Sequence, residues 1–287
     1  MKTKNDFILA VQCPGRIGLV AAISHFLAER GCNIIEMNQF DDLTTGRFFS
    51  RIQFTSVDLS LDQLKEQFTE VSSRFEMQAQ WAQSDSPMRA LILVSQHDHC
   101  LLDILYRIKA GELNIAPTMI LSNHAVLGDI ASFFGIPFEV LPERKTKLST
   151  KAVREERMLE VIEGTNSELV VLARYMQILS PELCDRLTGR CINIHHSFLP
   201  GFKGAKPYHQ AFERGVKQIG ATAHYVTSDL DEGPIIEQEV GRVDHTFGPE
   251  ELRTMGKLME TQALAKAVKA HSEYRVFQNG TKTVVLG

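Results

Sequence analysis

The sequence predicts an α/β protein with two domains. Residues 1–84 read as a ferredoxin-like β-α-β-β-α-β unit, and residues 85–287 as a Rossmann-like, mostly parallel sheet. Three observations carry this. The chain has 287 residues, more than one ordinary domain. Strand-like and helix-like segments alternate up to residue 82 in the order of that six-element unit. After the polar linker "SDSPM" (84–88), short apolar runs alternate with helical stretches, the mark of parallel strands covered on both faces.

In the first region "FILAVQC" (7–13) reads as a buried strand. Pro14 and Gly15 turn the chain. Leu19, Ile23, Phe26 and Leu27 then recur at helical spacing, and Gly31 stops the helix. "CNIIEMNQFDD" and "GRFFSRIQFTS" are strands joined by a Thr-Thr-Gly turn. "LSLDQLKEQFTEVSSRF" is a helix with Leu61, Leu64, Phe68 and Val71 on one face. "EMQAQWAQ" alternates like a half-exposed strand.

In the second region strands are expected at 89–95, 116–122 and 168–174, separated by helices at 101–109, 126–134 and 149–163. "RCINIHH", "IGATAHYVT" and "GPIIEQEVGRV" are further strands. Residues 249–271 form a long helix, and "YRVFQNGTKTVVL" closes as a hairpin on Asn279-Gly280.

The composition, 44% hydrophobic and 23% charged, is that of a globular protein. A net charge of -4 argues against a nucleic-acid or anionic-membrane partner. The five cysteines, Cys13, Cys32, Cys100, Cys184 and Cys191, are scattered and form no C-x-x-C pair. They read as reduced, mostly buried thiols, and no metal site is expected from their spacing. The N-terminal "MKTKNDFILAVQCPGRIG" is broken by Asp6 and Gln12 and reads as a strand, not a signal peptide. No run reaches the ~20 apolar residues of a membrane span. A cytoplasmic protein is expected.

Candidate chemistry gathers in "INIHHSFLPGFKGAKPYH" (192–209). Asn193 and His195 are two apart, which on a strand puts both on one face. At a strand's carboxyl end they would point into the crevice where parallel sheets bind ligands. An amide and an imidazole suit a carbonyl under attack, one bonding the oxyanion and the other moving a proton. On the spacing alone, a strand end satisfied by backbone bonds is the favoured reading. In "TSDLDEGPII" (227–236), Asp229, Asp231 and Glu232 crowd a turn; they are either a solvated hairpin or the source of a carboxylate that holds His195. His224 lines a site or is a hydrogen-bonded core residue. The histidines of "HDHC" (97–100) read as loop residues, because no partner is legible elsewhere. Ser197 lacks the elbow motif of a nucleophile. Lys203 and Lys206 read as solvating their loop.

The whole stretch from Ile192 to Ile236 resembles the formyltransferase family that uses 10-formyltetrahydrofolate. The carrying pieces are Asn193-x-His195, then Ser197-Phe198-Leu199-Pro200 with Phe202 and Gly204, then Asp231-x-Gly233. The resemblance implies that Asn193, His195 and Asp231 are catalytic. It selects Asp231 over Asp229 and Glu232. "LARYMQILS" (172–180) is a fourth match and implies a folate pocket of Tyr175, Met176, Gln177, Ile178 and Leu179, with Thr227, Ser228, Asp229 and Leu230 as the other wall. Some relatives carry arginine where Gln177 stands.

Residues 7–82 resemble an ACT domain through "PGRIGLVAAISHFLAERGCNI". This implies an amino-acid effector, glycine or methionine by analogy, near Gly15, Arg16, Ile17, Gly18 and Asn33. It implies equally a module that builds a homo-oligomer.

Transferase relatives that formylate a phosphorylated amine cradle its phosphate with a glycine-rich loop after the first strand. The matching "LILVSQHDHCLLDIL" has no glycine from Leu91 to Leu105. Relatives acting on methionyl-tRNA append a further C-terminal domain, which is not expected after the hairpin here. Water is the acceptor that remains. The combination resembles the formyltetrahydrofolate deformylase family, with the folate as substrate, no cofactor and no metal. Transfer to an unidentified amine and a folate-binding sensor are the alternatives.

Overall fold

The computed structural model describes residues 5–141, 151–199 and 207–287. The lysines and the Pro200–Gly204 motif of the 200–206 loop lie outside them, as do residues 149 and 150 of the expected helix. The described residues up to Ser86, with Ala270–Gly287, form one compact unit, and Pro87–Lys269 forms a second.

The first unit runs β1 (Asn5–Pro14), α1 (Leu19–Glu29), β2 (Asn33–Asp42), β3 (Arg47–Ser56), α2 (Leu61–Phe75) and β4 (Gln78–Gln83). The sheet order is β2-β3-β1-β4 with every pairing antiparallel. Alternate residues Phe7, Leu9, Val11 and Cys13 of β1 join the core that Ile23, Phe26 and Leu27 of α1 and Leu64 and Phe68 of α2 complete. The helix face read from the sequence is therefore the packed one, with Leu61 and Val71 at its margin. A capping box starts α2: Gln63 N–H donates to Ser60 Oγ, and Ser60 N–H donates to Gln63 Oε1. Gly18, at φ 94, makes the left-handed turn into α1.

The second unit contains β5 (Met88–Val94), α3 (His99–Lys109), β6 (Ile115–Ser122), a 3₁₀ turn at Ala125–Leu127, α4 (Gly128–Phe133) and β7 (Phe138–Val140). It continues with α5 (Lys151–Gly164), β8 (Leu169–Leu172), α6 (Pro181–Arg186), β9 (Cys191–His195), α7 (Pro207–Glu213), β10 (Gln218–Tyr225), β11 (Ile235–Arg242) and α8 (Pro249–Ser272). The sheet order is β11-β10-β9-β8-β5-β6-β7. Pairings are parallel from β9 to β7 and antiparallel at β9-β10 and β10-β11. Strands β5 and β8 are buried along nearly their whole length, as strands with helices on both faces must be.

Two readings are corrected. The strand expected at 168–174 ends at Leu172, because Arg174 takes a left-handed φ of 64 and turns the chain out of the sheet. The closing hairpin, β12 (Val276–Asn279) and β13 (Lys282–Val285), groups with the first unit rather than with residues 85–269. Phe277 and Leu286 pack against Ala10 and Phe49, on the face of β1 opposite its helices. Burying two such side chains contributes about 1.5–3 kcal/mol each, ample to fix the hairpin there.

Candidate functional site

Strand β9 places Asn193 and His195 at the carboxyl edge of the parallel sheet, with Leu172 of β8 paired to Asn193. The antiparallel register of β10 sets His224 directly opposite Asn193. Residues facing each other across a ladder share a face, so Asn193 Nδ2 lies 3.3 Å from His224 Nε2. His224 Nδ1 is 2.9 Å from the Tyr225 carbonyl and must donate to it. Nε2 is then the acceptor, which orients the Asn193 amide with its NH₂ toward the ring and leaves its second N–H free to point elsewhere. Burial pushes the His224 pKa down and keeps the ring neutral.

The turn between β10 and β11 brings in Asp231. His195 Nδ1 donates to Asp231 Oδ1 at 3.1 Å, with the two side chains 6% and 14% exposed. Burial alone would raise the Asp231 pKa. The hydrogen bond from His195 prevails and holds it below the usual carboxylate value. His195 Nε2 is buried and has no partner among the described residues, so one ring nitrogen is held and the other is available.

Local strain positions this carboxylate. Asp231 sits at φ 58, a left-handed conformation tolerated best by Asp, Asn and Gly. Two residues on, a Cβ at Gly233 would collide with the Tyr225 carbonyl and come within 3.2 Å of His224 Nδ1. The Asp-x-Gly spacing therefore has a steric cause: bare backbone lets the turn close over His224 while Asp231 reaches His195.

A cavity of about 230 Å³ opens on this group. One wall is the loop after β8 with Tyr175, Met176, Gln177, Ile178 and Leu179. The other is Thr227, Ser228, Asp229 and Leu230, and Asn193, His195, His224 and Asp231 form its inner end. All twelve residues expected to be catalytic or to bind the folate thus line one cavity. Met176, Ile178 and Leu230 are 53%, 63% and 58% exposed. Large apolar side chains left open at a pocket mouth suit a flat aromatic ligand. The loop is anchored where Met176 N–H donates to Ser95 Oγ at 2.9 Å and Ser180 N–H to Glu155 Oε1 at 2.7 Å.

The other expected residues lie in the first unit. Gly15, Arg16, Ile17 and Gly18 occupy the β1–α1 loop, with Ile17 wholly exposed and Arg16 paired to Glu76, and Asn33 starts β2.

One group was missed from the sequence. His99 opens α3 rather than lying in a loop, and its Nε2 is 2.8 Å from Glu260 of α8. Tyr208 Oη donates to the same carboxylate at 2.8 Å, and Arg174 Nε lies 3.3 Å from it. The only signal was "HDHC" itself, whose partner is far along the chain. Ligand atoms of His99, Cys100 and Glu260 lie within 4.8 Å of one another. They fit a hydrogen-bonded carboxylate better than a metal: the Arg174 cation already neutralises Glu260, and burial pushes the Cys100 thiol well up, keeping it protonated.

His196, beside His195, is pushed down to about 4 by burial and by the charge of Arg174. An unfolded histidine titrates near 6.5. Below that pH the unfolded chain binds a proton that the folded ring refuses, until pH falls through the folded value. Stability therefore falls as pH drops from 6.5 toward 4, by about 1–2 kcal/mol at pH 5 from this ring alone. Thermal denaturation should show a lower midpoint at pH 5 than at pH 7, with a smaller difference in His196→Gln.

Among the described residues no helix is long and apolar enough to cross a membrane.

Comparison with known proteins gives the same division. The model of the Formyl transferase family matches residues 88–268, and that of the ACT domain matches residues 7–69. A formyltetrahydrofolate deformylase of Corynebacterium sp. (strain P-1) is 49% identical over 97% of this chain and 97% of that protein. The crystal structure of formyltetrahydrofolate deformylase from Burkholderia mallei ATCC 23344 superposes with a TM-score of 0.94 at 50% identity, covering 99% of this chain and 100% of that one. Glycinamide ribonucleotide transformylase 1 from Symbiobacterium toebii matches less of it: TM-score 0.64, 28% identity, 70% of this chain and 95% of that one. Identity and coverage of this extent, over both an ACT unit and a formyl transferase unit, place the chain in the formyltetrahydrofolate deformylase family.

Proposed function

We propose that the protein hydrolyses 10-formyltetrahydrofolate to tetrahydrofolate and formate, at the group formed by Asn193, His195 and Asp231. The observation that carries this reading is the 3.1 Å contact of Asp231 with His195 beside the amide of Asn193 at the end of an apolar cavity. Asp231 orients a water and, with His195, takes its proton as the oxygen attacks the formyl carbon. Asn193 Nδ2–H and the protonated His195 stabilise the tetrahedral oxyanion. The proton then passes through His195 to N10, the C–N10 bond breaks, and formate leaves. The pterin lies between the 175–179 loop and residues 227–230.

Every proton in this scheme is moved by side chains or water, so it needs no metal and no cofactor. Purified protein given 10-formyltetrahydrofolate and no amine should release formate, and a chelator should not change the rate. Formate appearing only after an amine is added would favour transfer. Tight folate binding without turnover would favour a sensor.

The first unit, an ACT domain, serves in this reading as a regulatory or assembly module. Its effector would be an amino acid held near Gly15–Gly18 and Asn33, and strands β2 and β4 at the sheet edges suit pairing in a homo-oligomer. The enzyme works in the cytoplasm on a small molecule, without nucleic-acid or membrane partners, and its formate feeds one-carbon pools for purine biosynthesis.

A further inference from the structure

The loop after β8 is gripped by a carboxylate that takes no part in the scheme above. The Glu260 side chain is 2% exposed and meets His99, Tyr208 and Arg174, from three other places in the fold. Gly256, one turn earlier on α8, makes room for Tyr208, since a Cβ there would collide with its ring. Arg174 carries a buried guanidinium on a backbone at φ 64, a region that side chains with a Cβ disfavour. Such a charge stays buried only with a counter-charge. Tyr175–Leu179, the pocket wall, follow directly. Without the Glu260 charge the guanidinium would be drawn toward water and the turn toward a relaxed φ, taking the wall with it.

We propose that Glu260 is a positioning residue, which acts through Arg174 to hold the turn after β8 and with it the folate-binding loop. The inference rests on the folate reading of the cavity. Glu260→Gln preserves shape and removes the charge. Two measurements test it: steady-state kinetics with 10-formyltetrahydrofolate, and amide hydrogen exchange of Tyr175–Leu179 with no folate present.

The expected result is a KM raised ~10-fold, equivalent to about 1.4 kcal/mol, with kcat within ~3-fold and faster exchange in the loop. Adding Arg174→Gly removes the stranded charge and supplies a residue at ease at φ 64. It should recover most of that KM loss and slow the exchange again. An unchanged KM and exchange, or a kcat that falls at constant KM, would overturn the proposal. So would a second substitution that deepens the KM loss, because Arg174 would then be touching substrate.

If Glu260→Gln does not fold, Tyr208→Phe removes one donor to Glu260. It should give a smaller change of the same kind, and unaltered exchange would count against the proposal. The exchange arm needs no folate. A loop that loosens in a protein whose wild type releases no formate would contradict the function proposed above and not the role of Glu260.

Discussion

Asp231→Asn is expected to lower kcat by ~10²–10⁴-fold while the protein folds normally, because the amide can neither take a proton from water nor stabilise a charged His195. The substitution isolates chemistry from architecture. Asn is among the few residues at ease at the left-handed φ of 58 that Asp231 adopts. Its side-chain oxygen can still accept from His195 Nδ1, where Oδ1 now lies at 3.1 Å. The turn closed by Gly233 is untouched. Formate release measured with saturating substrate, beside a thermal midpoint within a few degrees of wild type, would bear this out. A rate within tenfold of wild type would remove Asp231 from the chemistry and leave the 3.1 Å contact as a structural one.

His195→Ala should be at least as severe, about 10³-fold or more in kcat, near 4 kcal/mol of transition-state stabilisation. Two functions disappear together: the proton path to N10 through Nε2 and the charged donor to the oxyanion. They are not additive with the loss of Asp231, since both residues serve one proton transfer from the attacking water. The double variant should therefore be little slower than His195→Ala alone. KM should move less than kcat, because most of the pocket wall belongs to the 175–179 and 227–230 loops. If the double variant instead multiplied the two single losses, the two side chains would be acting independently and the proposed relay would fail.

The sequence was most legible where the candidate site is written as short spacing. Asn193 and His195 could be paired because strand geometry puts every second residue on one face. The element order of the first unit followed from alternating periods, and the packed face of α2 from Leu64 and Phe68. Choosing Asp231 from three clustered acids required the family motif, since nothing local distinguishes Asp229, Asp231 and Glu232. The steric reason lies in Gly233 against the Tyr225 carbonyl, visible only once β10 and β11 are paired.

His224 could be read as core or as site. The register that sets it opposite Asn193 makes it both: a buried ring that orients the amide. The Glu260 group was out of reach because its members come from α3, the turn after β8, α7 and α8, and burial makes them a unit only after folding. Short elements were lost for a different reason. β7 has 3 residues and α6 has 6, too few for a period to show. The C-terminal hairpin is legible in the sequence, but chain proximity alone attaches it to the second unit. What decides its place is the apolar face of β1 left open by α1 and α2.

The most direct test is hydrolysis in water enriched in ¹⁸O, with 10-formyltetrahydrofolate as the sole organic substrate and the formate analysed by mass. Attack of a water held by residues 231 and 195 predicts one solvent-derived oxygen in each formate at the first turnover, at a rate that collapses in Asp231→Asn. Formate without solvent label, or no product until an amine is supplied, would contradict the account.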